Sequence, residues 1–167
     1  MPIWKTQSEL YAGAYGEPGN SDRNNFNPEW LRENIAYVIC PWVLTDGRNH
    51  FGHIGIHKNV AQSLSRVLHN VYDACGKSQA EIDKHRYNIF SGSLCYRPMR
   101  TSMHLSMHSY GVALDWDAPD NPLGSYTHRF AVDELLFVKF REEGWVCGID
   151  WSRHSIDAMH VQAARVD

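Results

Sequence analysis

The chain has 167 residues, of which 43% are hydrophobic and 21% charged, and its formal net charge is −3 at pH 7. This length and composition predict one globular domain over 1–167 with a buried core, and they exclude a disordered or fibrous chain. Because the charge is negative and no run of Lys or Arg occurs, no nucleic-acid partner is expected.

The cysteines and the apolar segments of the sequence indicate the cellular compartment that is expected for the protein. The four cysteines form no C-x-x-C pair, which predicts free thiols in a reducing compartment. The opening residues MPIWKTQSEL lack a basic segment followed by an apolar run, so cytoplasmic synthesis without a secretory signal is expected. The longest apolar run, IAYVICPWVL, is shorter than the roughly 20 residues that span a bilayer, so no membrane insertion is expected.

The first third of the chain has few regular patterns. Residues 1–27 show no sustained period and are predicted to be mostly irregular. Asn27 before Pro28 predicts the start of a short helix ending near Asn34. IAYVICPWVL then predicts an extended or mixed element interrupted at Pro41, and DGRNHFGHIGIHKN predicts a polar loop.

Two longer helices are predicted further along. Apolar residues at i, i+3 and i+4 spacing indicate an amphipathic helix over about 59–74, with Gly76 just past its end. A second helix is predicted over about 131–143, closed by Gly144. Its core-facing candidates are Val132, Leu135, Leu136 and Phe140.

Three segments have the character of strands. They are YNIFSGSLC (87–95), GVALDWD (111–117) and HVQAARV (160–166). Helices and strands do not alternate strictly. The predicted fold class is therefore α+β, with a small, mainly antiparallel sheet flanked by helices.

A candidate metal site begins in the second strand segment. Gly111 permits a turn between His108 and Asp115, and in an extended strand Asp115 and Asp117 share one face. His160 is the most plausible third ligand, and Asp157, three residues earlier, can act as a base. Three His or carboxylate ligands suit a catalytic zinc ion, which lowers the pKa of water while a carboxylate accepts its proton.

The residues also permit plainer interpretations. Asp115 could cap a turn, and His108 could be an ordinary surface histidine. A Ser/His/Asp hydrolase is a further alternative, but no serine lies in a G-x-S-x-G pattern. Cysteine catalysis has less support, since no cysteine has a context that indicates activation.

Three motifs, the last of them in two parts, lie in order along the second half of the chain. The pattern S-x-H-x-x-G-x-A-x-D is formed by Ser106, His108, Gly111, Ala113 and Asp115. GWVCGIDW occupies 144–151, DAMHVQ occupies 157–162, and SGSLCYRP lies upstream at 91–98. Together they resemble the signatures of the zinc D-alanyl-D-alanine peptidase family. That family includes D-alanyl-D-alanine carboxypeptidases, dipeptidases and phage endolysins that cut the L-alanyl–D-glutamate bond of peptidoglycan.

The resemblance covers about 60–166, and 1–58 are predicted to be an extension packed on that core. It implies a fold like that of hedgehog domains and these peptidases, with one Zn²⁺ ion. The implied ligands are His108, Asp115 and His160. Asp157 takes the position of the catalytic base and Arg97 that of an oxyanion or carboxylate partner. Ser106 is implied to orient a ligand or the substrate. A tryptophan such as Trp151 is more often a core residue than a binding platform, but Trp151 is close enough to the motifs to form a wall of the site.

The chain departs from the family pattern near the third ligand. Val161 and Gln162 replace the usual Phe and Glu, and Cys147 and Ile149 replace a Trp and a Gly. No ligand or base is lost, so activity is expected, and the replacements bear on the shape of the specificity pocket.

Other polar residues are predicted to be bystanders. His104 is a neighbour of the site or exposed, Asp117 supports the site or forms a turn, and His154 is exposed. The cluster His50, His53 and His57 is predicted to be a solvated loop along the cleft, with a second metal site as the alternative.

The sequence thus predicts a monomeric zinc peptidase acting on peptidoglycan stem peptides, as a phage endolysin does. L-Ala–D-Glu cleavage is preferred over release of terminal D-Ala. The alternatives are a D-Ala-D-Ala carboxypeptidase and a non-catalytic zinc-binding module.

Overall fold

A computed structural model describes residues 2–100, 102–152 and 154–167. Its helices are α1 (Gln7–Tyr11), α2 (Pro28–Asn34), α3 (Lys58–Ala74), α4 (Gln79–His85) and α5 (Leu135–Glu142). Its strands are β1 (Ile35–Thr45), β2 (His50–His57), β3 (Phe90–Gly92), β4 (Ala113–Trp116), β5 (Val146–Cys147) and β6 (His160–Gln162). Two 3₁₀ helices occupy Met107–Tyr110 and Gly148–Asp150.

The strands form two antiparallel sheets. One is the β1–β2 ribbon, and the other has the order β3-β4-β6-β5. With helices flanking both sheets, the predicted α+β fold class is confirmed. The three strand segments in the second half of the chain were correctly placed, but β3, β4 and β6 are shorter than predicted.

The β1–β2 ribbon corrects two sequence predictions. β1 is continuous through Pro41, because this residue lies between Ile39 and Leu44, where the ladder register breaks and no amide donor is needed. Residues 50–57 form β2, although the sequence predicts a polar loop. Pairing with β1 supplies the backbone hydrogen bonds, and Ile54 and Ile56 turn into the core.

The two helices predicted with clear signals are confirmed. In α2 the Asn27 side chain accepts a hydrogen bond from the Glu29 amide at 2.9 Å. α3 buries the predicted apolar stripe, and Gly76 follows its end with φ +66°. Both α1, with a capping box at Thr6, and α4, capped by Ser78, lie where no helix is predicted.

α5 begins four residues later than the predicted helix, at Leu135. The Glu134 side chain accepts a hydrogen bond from the Tyr87 hydroxyl at 2.6 Å and one from the Ala131 amide at 3.4 Å. These bonds hold the preceding residues in a turn. Val132, predicted to face the core, is therefore 56% exposed, whereas Leu136 and Phe140 are buried.

A continuous hydrophobic core joins the ribbon, α3, α5 and the four-stranded sheet. Trp116 of β4 lies near its middle, with ring centroids 5.1 Å from Phe90, 6.4 Å from Trp42 and 6.4 Å from Phe140. The site-bearing strand is therefore anchored from the ribbon and from α5. All four cysteines are free thiols, and Cys95 is exposed. No helix in the described part of the chain is long and apolar enough to cross a membrane.

Candidate active site

The 3₁₀ helix Met107–Tyr110 presents His108 to the interior. Ser106 caps this helix by accepting the His108 amide at 3.4 Å, and Gly111 ends it with φ +65°, a left-handed conformation that favours glycine. The His108 ring is 3% exposed, and its Nδ1 donates to the Ser93 carbonyl at 2.8 Å. That bond places the ring proton on Nδ1 and leaves Nε2 with a free lone pair.

Asp115 and His160 face each other across the β4–β6 ladder. His160 Nδ1 lies 3.1 Å from Asp115 Oδ1, and His160 Nε2 lies 3.0 Å from Gln162 Oε1. The Gln162 amide is itself fixed because its Nε2 donates to the Ala164 carbonyl at 2.8 Å. Gln162 therefore accepts the Nε2 proton of His160, which leaves Nδ1 as the atom able to bind a metal.

The three side chains form a compact donor cluster. His108 Nε2 lies 3.3 Å from Asp115 Oδ2, and the three candidate ligand atoms all lie within 4.8 Å of one another. Burial by itself would raise the pKa of Asp115, but its contacts with the two imidazoles outweigh burial and lower the pKa. Burial would likewise lower the pKa of His160, whereas its hydrogen bond and charge interaction with Asp115 raise it.

The cluster fits a zinc ion. His108 Nε2 is buried and has no hydrogen-bond partner, although it faces Asp115. A buried nitrogen without a partner costs free energy unless something else binds its lone pair. Two neutral imidazoles and one ionised carboxylate are the donor set of many catalytic zinc sites, so one Zn²⁺ ion could be held by His108, Asp115 and His160.

Asp157 lies beside the cluster, held by the backbone. Its amide donates to the Gly148 carbonyl at 3.0 Å, and its carbonyl accepts the His160 amide at 3.1 Å. The side chain is 9% exposed, and Oδ1 is buried without a hydrogen-bond partner. Burial raises the pKa of this carboxyl, with the charge of Asp115 adding to the shift.

All seven residues singled out in the sequence line one cavity of about 340 Å³. They are Arg97, Ser106, His108, Asp115, Trp151, Asp157 and His160. The Trp151 ring stands 5.4 Å from that of His160, at 41°. The Arg97 guanidinium donates to the Pro98 carbonyl at 3.4 Å and forms no ion pair with any described residue.

The cavity also contains residues that sequence reasoning missed. Gln162 shares a strand face with His160, so β alternation is a signal that indicates its role. Arg100 lines the same cavity two residues after the Pro98–Leu105 bridge, and only the fold reveals its position. Gln7 of α1 adds a wall from a part of the chain that the sequence predicts to be irregular.

Two of the polar bystanders have structural partners. His104 stacks on Tyr11 with ring centroids 4.3 Å apart and is outside the donor cluster. The strand pattern predicts that Asp117 shares the cleft face with Asp115, and this prediction is wrong. The strand ends at Trp116, and Asp117, with φ +46°, is buried and binds Arg86 at 2.6 and 2.8 Å.

The remaining histidines lie elsewhere in the described ranges. His50, His53 and His57 belong to β2 and do not gather into a second metal cluster there. His57 is buried, contrary to the prediction of a solvated loop, and it caps α3 while stacking on Tyr15 at 4.3 Å. His154 is exposed and lines the cavity rim.

A comparison with known families matches residues 100–163 to a family described as D-alanyl-D-alanine carboxypeptidase. The matched segment contains His108, Asp115, Asp157 and His160. The match covers 64 of the 167 residues; it makes this segment similar to a peptidase family and indicates a peptide substrate. No curated protein and no solved structure matches the chain.

Proposed function

We propose that this protein is a zinc-dependent peptidase that hydrolyses peptidoglycan stem peptides, with the bond between L-Ala and D-Glu as its target. The observation that carries the proposal is the His108–Asp115–His160 donor cluster, with the buried carboxylate of Asp157 beside it in one cavity. The family match over 100–163 supports the peptidase class.

A zinc ion bound there would act as a Lewis acid and lower the pKa of water. The protein's own side chains do the rest. Gln162 and the Ser93 carbonyl hold the two imidazoles in the tautomers that ligation requires. Asp115 supplies the negative charge of the donor set.

Asp157 is placed to accept a proton as a general base. Its Oδ1 has no hydrogen-bond partner to compete with a reacting water, and its backbone is fixed at both the amide and the carbonyl. A site that binds zinc only for stability has no use for a free carboxylate in this place. Asp157 therefore favours an enzyme over a non-catalytic zinc-binding module.

Arg97 is placed to stabilise charge on the substrate. Arg97 lines the cavity and its guanidinium forms no ion pair with a described residue, so it is available to an oxyanion or a carboxylate. Ser106 contributes indirectly, by capping the turn that carries His108.

A D-Ala-D-Ala carboxypeptidase is the second candidate, because the matched family carries that description. The two activities share their chemistry. In both, the amine released by cleavage belongs to a D-residue whose free α-carboxylate lies one carbon away. Arg97 and Arg100 in the cavity suit such a carboxylate in either case.

We also propose that the protein acts in the way that a phage endolysin does. The protein would accumulate in the cytoplasm and reach the wall after another protein permeabilises the membrane. Lysis of permeabilised cells, compared with intact cells, tests this part.

Mass spectrometry of the fragments released from purified cell walls tests the cleavage. New D-Glu amino termini are expected for the main proposal, and free D-Ala would identify the carboxypeptidase. If no fragment is released by zinc-loaded protein, the peptidase proposal is wrong.

A further inference from the structure

A second groove lies next to the candidate active site. It has a volume of about 400 Å³, and we call it the aromatic groove. The residues that define it here are Tyr37, Phe51, His53, Gly55, Gly92 and Ser93. Its walls thus come from the β1–β2 ribbon and from the segment that starts with β3, neither of which supplies a metal ligand.

The register of the four-stranded sheet joins this groove to the donor cluster. Gly92 pairs directly with Asp115, and residues opposite each other in an antiparallel pair point to the same face. A Cβ built on Gly92 meets no atom within 4 Å, so the sheet face next to Asp115 is open there. The carbonyl of the next residue, Ser93, accepts a hydrogen bond from His108 Nδ1 at 2.8 Å. The Gly92–Ser93 edge of the groove therefore lies one strand away from Asp115 and contacts His108 through the backbone.

The chemistry of the groove differs from that of the cavity. Tyr37 is 71% exposed and meets His53 edge-on, with centroids 5.4 Å apart at 78°. The floor beside Tyr37 is flat because its ladder partner is Gly55, where an added Cβ would lie 3.3 Å from both Tyr37 and Leu94. Among the described residues, no Lys or Arg lines the groove, and its one acid, Asp46, accepts hydrogen bonds from the Arg48 and Asn49 amides of its own turn.

A neutral aromatic groove with hydroxyl groups suits an uncharged sugar. The apolar face of a pyranose ring can stack on an exposed aromatic ring, while its hydroxyl and N-acetyl groups need polar partners. Among the described residues, neither the Tyr37 nor the Ser93 hydroxyl has a hydrogen-bond partner, so both are available. A free peptide carboxylate would instead bind in the active-site cavity, which Arg97 and Arg100 line.

We propose that the aromatic groove binds the glycan strand that carries the stem peptide, with an N-acetylated hexosamine stacked on Tyr37. This inference rests on the proposed function. In peptidoglycan the sugar is joined to L-Ala, one residue before the L-Ala–D-Glu bond. The Gly92 edge of the groove lies one strand from Asp115, which suits that short separation, whereas the terminal D-Ala is several residues further away.

The test compares a stem peptide that carries its N-acetylglucosamine–N-acetylmuramic acid disaccharide with the bare peptide, whose L-Ala amine is capped by a lactoyl group so that the sugar is the only difference. The wild-type protein is expected to show a kcat/KM on the order of 10-fold higher for the disaccharide form, since aromatic stacking contributes about that factor. Tyr37→Ala should lose this preference and leave cleavage of the bare peptide unchanged. Ile39→Ala is the matched control, because Ile39 points outward from the same strand, is 76% exposed and does not line the groove.

A binding measurement separates this proposal from the peptidase proposal. An uncharged disaccharide of N-acetylglucosamine, which lacks the free carboxylate of unlinked N-acetylmuramic acid, is titrated into wild-type, Tyr37→Ala and Ile39→Ala proteins by calorimetry, with no cleavage involved. Binding by the wild type and Ile39→Ala, weakened roughly 10-fold in Tyr37→Ala, supports the groove even if no peptide is cut. Equal cleavage of both substrates by the wild type, or disaccharide binding unaffected by Tyr37→Ala, would overturn the groove and leave the peptidase standing. A wild-type dimer that Tyr37→Ala dissociates would make the face a contact between copies and also overturn it.

Discussion

Asp157 combines burial, a missing hydrogen bond and a position beside the donor cluster. Among the described carboxylates, its Oδ1 is the buried oxygen without a partner. Asp157→Asn keeps the shape of the side chain but removes its ability to accept a proton. We expect kcat to fall by roughly 10²–10⁴-fold while zinc binding persists. Steady-state kinetics and metal analysis of the purified variant measure both quantities.

The matched control is Asp133→Asn, a change of the same kind at an exposed site. It should leave kcat unchanged. If Asp157→Asn retained wild-type kcat, Asp157 would not be the base.

The buried imidazole of His57 should make the free energy of unfolding depend on pH, independently of catalysis. Its Nδ1 accepts the Asn59 amide at 3.2 Å, and burial, followed by the charge of Lys58, lowers its pKa to about 4. The unfolded chain, with an ordinary pKa near 6.5, binds the proton first. Stability is therefore full above pH 6.5 and is lost as the pH falls towards 4. Between pH 7 and pH 5 we expect a loss of about 2 kcal/mol in the free energy of unfolding.

Urea unfolding at the two pH values measures this effect. His57→Asn retains an acceptor at the helix cap without the titration, so the difference between the two pH values should shrink by most of that amount. His69→Asn, at an exposed position of α3, should leave the difference as in the wild type. An unchanged pH dependence in His57→Asn would contradict the assignment.

At the scale of the element, the end of β4 is fixed by the Arg86–Asp117 ion pair. Asp117 is fully buried and receives two guanidinium hydrogen bonds at 2.6 and 2.8 Å. Arg86→Gln leaves that carboxylate without its cation, and we expect a loss of roughly 2–4 kcal/mol in the free energy of unfolding. Arg32→Gln, which breaks an exposed pair with Glu29, should change it by less than about 0.5 kcal/mol. Equal effects in the two variants would show that burial does not decide the strength of the pair.

The turn between β5 and β6 depends on a close approach at Gly148. A Cβ there would lie 2.5 Å from the Asp157 carbonyl and 3.2 Å from the His160 side chain. Gly148→Ala should therefore destabilise the fold by about 1–3 kcal/mol and weaken zinc binding, because base and ligand must both shift. The control is Gly52→Ala, where an added Cβ meets nothing within 4 Å. Denaturant unfolding and zinc titration compare the two variants, and wild-type zinc affinity in Gly148→Ala would contradict this account.

For the whole molecule, zinc should couple to stability, because its ligands come from a 3₁₀ helix and two strands that meet only in the fold. At a free concentration 100 times Kd, the ion should add about 2.7 kcal/mol to the free energy of unfolding. For a chain of this length that corresponds to a rise in Tm of roughly 5–10 °C. Thermal unfolding with zinc and with a chelator measures the shift. His160→Ala should abolish it, and His104→Ala, outside the cluster, should keep it. A full shift in His160→Ala would exclude this site.

Local signals in the sequence determined much of the fold. The cap at Asn27, the stripe of α3 and the apolar strand residues act over a few positions, so they can be read before the chain folds. β2 could not be predicted in this way, because a strand with polar residues on one face needs its partner β1. The candidate site was predicted from the family resemblance of the motifs around His108, Asp115, Asp157 and His160. Spacing along the chain could not identify it alone, because that spacing does not give distances in space.

The tertiary structure decided how these residues meet. It placed Asp115 opposite His160, turned Asp117 away towards Arg86, and brought Arg100 into the cavity from a segment without a motif. It also set the aromatic groove beside the cluster through the pairing of Gly92 with Asp115. Each of these facts depends on strand register and on contacts between distant segments. Such contacts are chosen by the packing of the whole core, and no short stretch of sequence contains them.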